Sequence, residues 1–318
     1  MMSKIAIVGA GLSGLYLGKL LQSDGHHVAL FEKSRGPGGR LCGRRLDVGQ
    51  HDMGAPYLSD RPGHPLLQEL QSAGVIMPWM PRLARIEPFG LGPIPNHHTR
   101  WVGVPYHNAI SRYLATGLCM IPSTRIVGIQ PTDTGWQLNT LEGAYPELFE
   151  WVFLANPPEQ SHALSCDFLP PPTIQMGPTF TVLLCSELGP DMGVDMAWGE
   201  SVIGTMIDTT SKPQRRTDLK LWTLHASDVW SKANVDAPLE WVADQLTQSF
   251  LSVTKRNWTI IDTQVHRWLY ATMGEATDSV YLDRSLRLGR LGDWTVRGDS
   301  WGAIESAIQI KEQFDYAG

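Results

Sequence analysis

The chain has 318 residues, 42% of them hydrophobic and 18% charged, enough for one large or two ordinary domains with a substantial core. Its net charge of −6, from 26 basic and 32 acidic residues with no run of Lys or Arg, argues against a nucleic-acid partner. No apolar stretch reaches the ~18–20 residues that span a bilayer, and neither the four cysteines nor the ten histidines show ligand or C-x-x-C spacing. A membrane-spanning, metal-centred or disulfide-stapled protein is therefore not expected; Cys42, Cys119, Cys166 and Cys185 suit reduced thiols in a cytoplasm.

The first predicted element lies in "KIAIVGAGLSGLYLGKLLQ", residues 4–22. One positive charge before an apolar run resembles a signal peptide, yet the run lacks a clean cleavage site. Its spacing reads better as a strand, a glycine turn and a helix. Gly9, Gly11 and Gly14 fit G-x-G-x-x-G, with Leu12 and Ser13 inside the motif. Gly9 permits the tight turn, Gly11 lets backbone approach a pyrophosphate, and Gly14 lets the helix pack on the strand. The helix N-terminus then favours phosphate charge. A second strand in "HHVALFEKS" ends at Glu32, whose carboxylate is placed to accept ribose hydroxyls. The unit is a β-α-β dinucleotide fold.

Directly after Glu32 and Lys33 comes "SRGPGGRLCGRR", a second glycine-rich loop with Gly39 and Arg40. A bare nicotinamide-binding unit has no need of it. A longer cofactor, clamped along its pyrophosphate and ribityl chain by a fixed cation, does; a surface turn with a solvated arginine is the alternative. Residues 60–104 are rich in proline and turn signals, with one short helix at 65–73. "VPYHNAISRYLATG" is helical, "TRIVGIQ" and "WQLNT" form a hairpin, and "WVFLANPP" is a buried strand of the main sheet. Residues 175–284 alternate like antiparallel strands, interrupted by an amphipathic helix at 238–254. In "HRWLYA" that alternation sends His266, Trp268 and Tyr270 to one face, where they would line a flat pocket or simply form core. Arg100 and Trp101 would meet a substrate's phosphates or ring, or more simply form a solvated arginine beside a core tryptophan, and Asn234 and Asp236 read as helix-start residues.

Three segments carry a family resemblance. Glu32 through Gly38-Gly39-Arg40 resembles the second fingerprint of the flavin amine oxidase superfamily, and "HDMGAPYLS" (residues 51–59) is similar to its D-x-G-A-x-Y segment. "LRLGRLGDWTVRGDSWGAIESA" resembles the third FAD segment. The resemblance implies non-covalent FAD held by Gly9, Gly11, Leu12, Ser13, Gly14, Glu32, Lys33, Gly39, Arg40, Gly54, Ala55, Pro56, Tyr57, Ile126, Asp293, Gly302 and Ala303. It also implies an α/β fold. A discontinuous Rossmann-like FAD domain (1–59, 105–174, 285–318) would carry an inserted, smaller α+β substrate domain on an antiparallel sheet (60–104, 175–284).

Within that superfamily the chain is short. "RWVG", "WTLHASDVWSKANVDA", "HRWLYA" and "GDW" together look like the bacterial renalases, with departures at Pro56 (for a glutamine-like residue) and Cys42 (for a small hydroxyl). The likeness implies oxidation of isomeric 2- and 6-dihydro-NAD(P), with O2 reoxidising the flavin, in a cytoplasmic monomer or homodimer. Hydride loss driven by the ring nitrogen needs no general base, so His266, Trp268 and Tyr270 would hold the ring rather than move protons. The rivals are a small amine oxidase or desaturase, and a non-catalytic FAD-binding protein.

Overall fold

The computed structural model describes all residues except 1, 47, 48, 190, 216, 217, 274–277 and 316–318. The chain divides into two compact units. The first comprises Met1–Gly39, Ser111–Met176 and Met273–Gly318, and the second Arg40–Ile110 and Gly177–Thr272.

The first unit is built on a six-stranded sheet in the order Cys119–Ile121, His27–Phe31, Lys4–Val8, Trp151–Leu154, Leu288–Arg290, Tyr281–Asp283. All neighbours are parallel except the last pair. The central strands read as continuous apolar runs because both faces are covered. Ile5, Ile7, Val152, Phe153 and Leu154 are all buried. Helices Leu12–Ser23 and Ser300–Asp315 pack here, with the Ser13 and Ser306 hydroxyls 3.4 Å apart. The hairpin read at 124–140 gains a third strand, Gly143–Phe149. "AYPELF" hides that strand because it carries a proline and lies almost wholly exposed at the sheet edge, so no two-residue apolar period marks it.

The second unit centres on a seven-stranded sheet ordered Ile260–Thr272, Gly177–Glu187, Leu219–Ala226, Ile203–Asp208, Met196–Trp198, Leu83–Glu87, Gly90–Ile94. One face is apolar: Phe180, Val182, Leu184, Trp222 and Leu224 pack against Val242, Leu246 and Phe250 of helix Leu239–Thr254. Strand alternation sends Thr179, Thr181, Thr223 and His225 to the other face. The hairpin Gly43–Leu46/Gly49–Asp52 reaches the same sheet, where the Thr223 hydroxyl donates to the Asp52 carbonyl at 2.8 Å.

The unit boundaries differ from those drawn on the sequence. Residues 40–59 belong with the antiparallel sheet, so that unit is the larger of the two. The reason is the Asp52 hairpin, whose buried polar partners lie on strands and loops of the second unit. Asn234 also departs from its reading. It ends helix Asp228–Ala233, its Nδ2 donating to the Trp230 carbonyl at 2.8 Å, while Pro238 precedes the long helix.

Candidate functional site

In the first unit the site is made of backbone. Gly9 has φ +109, and a Cβ there would lie 2.8 Å from the Ala155 carbonyl oxygen. A Cβ on Gly14 would overlap the Gly9 carbonyl oxygen, so only glycine lets the helix close on the turn. Nothing lies within 4 Å of the Cβ position of Gly11. The helix beginning at Leu12 has no side-chain cap and no acid in its first turn. Its N–H groups and positive dipole end are thus left for an external anion, with open space above Gly11 to admit one.

Glu32 is buried and fixed at both oxygens: Oε2 accepts the Ala10 N–H at 3.0 Å and Oε1 the Ser34 N–H at 2.8 Å. A carboxylate has about four lone-pair sites, so two remain for ribose hydroxyls. The second glycine loop folds back on the first. The Gly38 N–H donates to the Ala10 carbonyl at 2.9 Å, and the Cβ position of Gly39 is 3.3 Å from the Gly11 Cα. Lys33 is exposed. The donor set therefore fits a dinucleotide: pyrophosphate at a bare helix end, ribose at Glu32, and two glycine loops in mutual contact.

Other predicted residues of this unit serve differently. The Ile126 side chain belongs to the core with Phe31, Trp136 and Phe149, which leaves only its backbone for a cofactor. Asp293 is buried in a short 3-10 turn, its carbonyl accepting the N–H groups of Val296, Arg297 and Gly298 at 3.0, 3.0 and 2.9 Å. Gly302 and Ala303 are buried in the first turn of the last helix. That helix carries a cap: the Gly302 N–H donates to Asp299 Oδ1 at 2.6 Å, and Arg297 Nε donates to the same oxygen at 3.0 Å.

In the second unit the site is made of side chains brought from distant segments. Arg40 and the 54–57 segment lock together. The Ala55 N–H donates to the Arg40 carbonyl at 2.8 Å, a Cβ on Gly54 would overlap that carbonyl, and Arg40 Nη1 donates to the Ala271 carbonyl at 3.1 Å. Pro56 and Tyr57 are half-buried, and Tyr57 lies 6.5 Å from Trp79, centroid to centroid. Asp52 is the hub. Its Oδ2 meets Lys212 Nζ at 2.9 Å and Arg215 Nη2 at 2.7 Å, and Oδ1 accepts the His107 N–H at 2.9 Å. Burial alone pushes the Asp52 carboxyl up, but the two cations outweigh it and hold the group well below the ordinary carboxylate range.

Three histidines of this unit stay neutral. Burial, then the Lys212 charge, lowers His107 to about 3 and His225 to about 4, and burial lowers His51 to about 4. Burial and the Arg44 charge also lower His266. Sequence reading missed Lys212, Arg215, His107 and His225, because their loops and strands carry no local motif; only register and long-range pairing assemble them.

His266 and Trp268 are brought together as expected, in an edge contact at 4.5 Å with 79° between planes. Arg267 lies on the opposite, core face, its guanidinium 5.5 Å from the Phe180 ring centre. Trp268 Nε1 donates to Thr181 Oγ1 at 2.9 Å, and Thr181 pairs in register with His266. Tyr270 does not join them by any ring contact among the described residues. A register shift between Trp268 and Thr272 interrupts the alternation there. Arg100 and Trp101 reverse their reading: Arg100 is the buried one, and Trp101 hydrogen-bonds Asp60 Oδ1 at 2.7 Å.

Residues 7–71 match the family described as an NAD(P)-binding Rossmann-like domain. A stretch of 51 residues is 43% identical to a 4,4'-diapophytoene desaturase (4,4'-diaponeurosporene-forming) of Staphylococcus aureus strain Newman. That stretch is 16% of this chain, and the chain covers only 10% of the desaturase's length. Over the whole chain the structure resembles a provisionally named protoporphyrinogen oxidase of Exiguobacterium sp. 255-15, with TM-score 0.81, 13% identity and 100% of both chains covered. A putrescine oxidase bound to putrescine gives 0.73 at 13% identity, covering 99% of each chain. An oxidoreductase from Methanosarcina mazei gives 0.75 at 13% identity, covering 97% of this chain and 100% of its own. The fold is shared with these oxidoreductases. The α/β class read from the sequence, a Rossmann-like domain interrupted by an antiparallel-sheet unit, is the observed one. No helix among the described residues is long and apolar enough to cross a membrane, and all four cysteines are free.

Proposed function

We propose that the protein is a FAD-dependent oxidoreductase that oxidises isomeric 2- and 6-dihydro-NAD(P). The overall reaction is dihydro-NAD(P) plus O2 and H+ giving NAD(P)+ and H2O2. The observation that carries the cofactor assignment is the second glycine loop, with Gly38 bonded to Ala10 and Gly39 against Gly11. Arg40, Gly54, Ala55, Pro56 and Tyr57 are assigned to the same cofactor by their motifs. When bound, FAD supplies a hydride acceptor at N5 and an electron path to O2.

The chain's own residues have holding roles. Glu32 takes ribose hydroxyls, and the bare helix end at Leu12 takes pyrophosphate charge. Trp268, oriented by Thr181 and flanked by His266, offers a flat wall for a nicotinamide ring. His266, His225 and His51 are neutral, so none is a strong acid at pH 7. The Arg44 charge is felt at His266, while Lys212 and Arg215 are engaged by Asp52. No side chain needs to act as a base, since the ring nitrogen lone pair expels the hydride.

The test is an anaerobic spectrum of the purified protein before and after adding each dihydro isomer. Bleaching of bound flavin, reversed by air with peroxide formed, is expected. A flavin that no isomer reduces sinks the substrate assignment. The second reading, oxidation of an amine, is favoured by the likeness to putrescine oxidase. Bleaching by putrescine in place of the dihydro isomers would establish it.

A further inference from the structure

Arg100, in strand Arg100–Gly103, is 9% exposed and, among the described residues, pairs with no carboxylate. Its guanidinium lies 5.0 Å from the Tyr57 ring centre and 5.9 Å from that of Trp198. Nη1 donates to Asn96 Oδ1 at 2.9 Å and to the His98 carbonyl at 3.1 Å, while the buried Nε–H has no partner. Asn96 is itself fixed, its Nδ2 donating to the Pro81 carbonyl at 2.8 Å.

A buried guanidinium without a counter-ion is costly, and two cation–π contacts offset only part of that cost. The other buried cations of this unit, Lys212 and Arg215, share the Asp52 carboxylate; Arg100 has only neutral acceptors. Two aromatic rings and a fixed amide hold the fork rigid and leave its charge without a carboxylate among the described residues. That is the arrangement of a preorganised anion clamp. Tyr57 belongs to the 54–57 segment locked onto Arg40, so the clamp is anchored to a segment already assigned to the functional site.

We propose that Arg100 binds a phosphate group of a dinucleotide substrate, with Tyr57, Trp198 and Asn96 positioning the guanidinium. This rests on the dihydro-NAD(P) reading and adds the residue that anchors the non-reacting end. Phosphate binding at the non-reacting end is uniform across ground and transition states and lowers KM.

The experiment compares wild-type holoprotein with Arg100→Met and Arg100→Lys, titrating NAD+ and the phosphate-free 1-methylnicotinamide and following tryptophan fluorescence and calorimetric heat. Arg100→Met is expected to lose about ten- to a hundredfold in NAD+ affinity and nothing for 1-methylnicotinamide. Arg100→Lys keeps the charge and loses the fork, so it falls between them. If Arg100→Met does not fold, the lysine variant decides by the same ratio. Equal loss for both probes, unchanged NAD+ binding, or a wild-type protein that binds no NAD+ each overturns the proposal. Wild-type protein that binds NAD+ through Arg100 yet is not bleached by any dihydro isomer keeps the clamp and discards the oxidase reading.

Discussion

The two units build their functional residues in opposite ways. The first presents main chain: a bare helix end, open space over Gly11, and glycines where any Cβ would strike a carbonyl. The second presents side chains pinned by buried charge, with Asp52 holding Lys212 and Arg215 from a segment some 160 residues away in sequence. Within the first unit the two helix ends differ as well. The end at Leu12 is uncapped, whereas the end at Ser300 is closed by Asp299 and its Arg297 partner. A helix N-terminus receives a ligand charge only where the protein has not supplied one of its own. Asp299 sets a negative charge at the second of these ends.

Breaking the backbone-built region has the largest expected effect. Gly14→Ala puts a methyl group onto the Gly9 carbonyl, separating helix from turn, and should yield protein with essentially no flavin, read as the ratio of visible to ultraviolet absorbance. The same substitution at Gly11, where space is open, should retain the fold and lose cofactor affinity only.

The side-chain-built region should fail by unfolding instead. Asp52→Ala strands two buried cations and is expected to cost about 3–5 kcal/mol, measured by urea denaturation. Replacing Lys212 by methionine in the same protein should recover part of that loss. A recovery of nothing would show that Arg215 alone carries the penalty.

Acid sharpens the contrast further. His51, His107 and His225 have folded pKa values near 4, 3 and 4 against about 6.5 unfolded, so the unfolded chain binds more protons between those values. Stability should be full above pH ~6.5 and fall as pH drops toward 4. Asp52, depressed, adds a further loss once pH falls through the unfolded carboxylate pKa of about 3.9. Replacing His225 with glutamine should flatten the first part of that profile in thermal melts; an unchanged profile would show that His225 does not titrate there.

The smallest effect is at the capped helix. Asp299→Ala should cost about 1 kcal/mol, a Tm shift of about 2–4 °C. With the first-turn N–H groups freed, the flavin spectrum should shift if that end lies at the cofactor and stay fixed if it does not.

The amino-acid sequence by itself determined the β-α-β unit, because G-x-G-x-x-G, the flanking apolar strands and Glu32 are all local and each glycine answers one steric demand. It also determined that His266 and Trp268 share a face, since strand alternation has a fixed period of two. It misassigned Arg100, because whether an arginine is solvated or buried depends on Tyr57 and Trp198, which approach it from other segments. Only the tertiary structure decided the Asp52 hub, the capped state of the last helix, the register shift between Trp268 and Thr272, and the allegiance of residues 40–59. The physical reason is common to all four. Backbone geometry is fixed over a few residues, whereas the pairing of buried charges and the register of strands are settled by which distant segments come together.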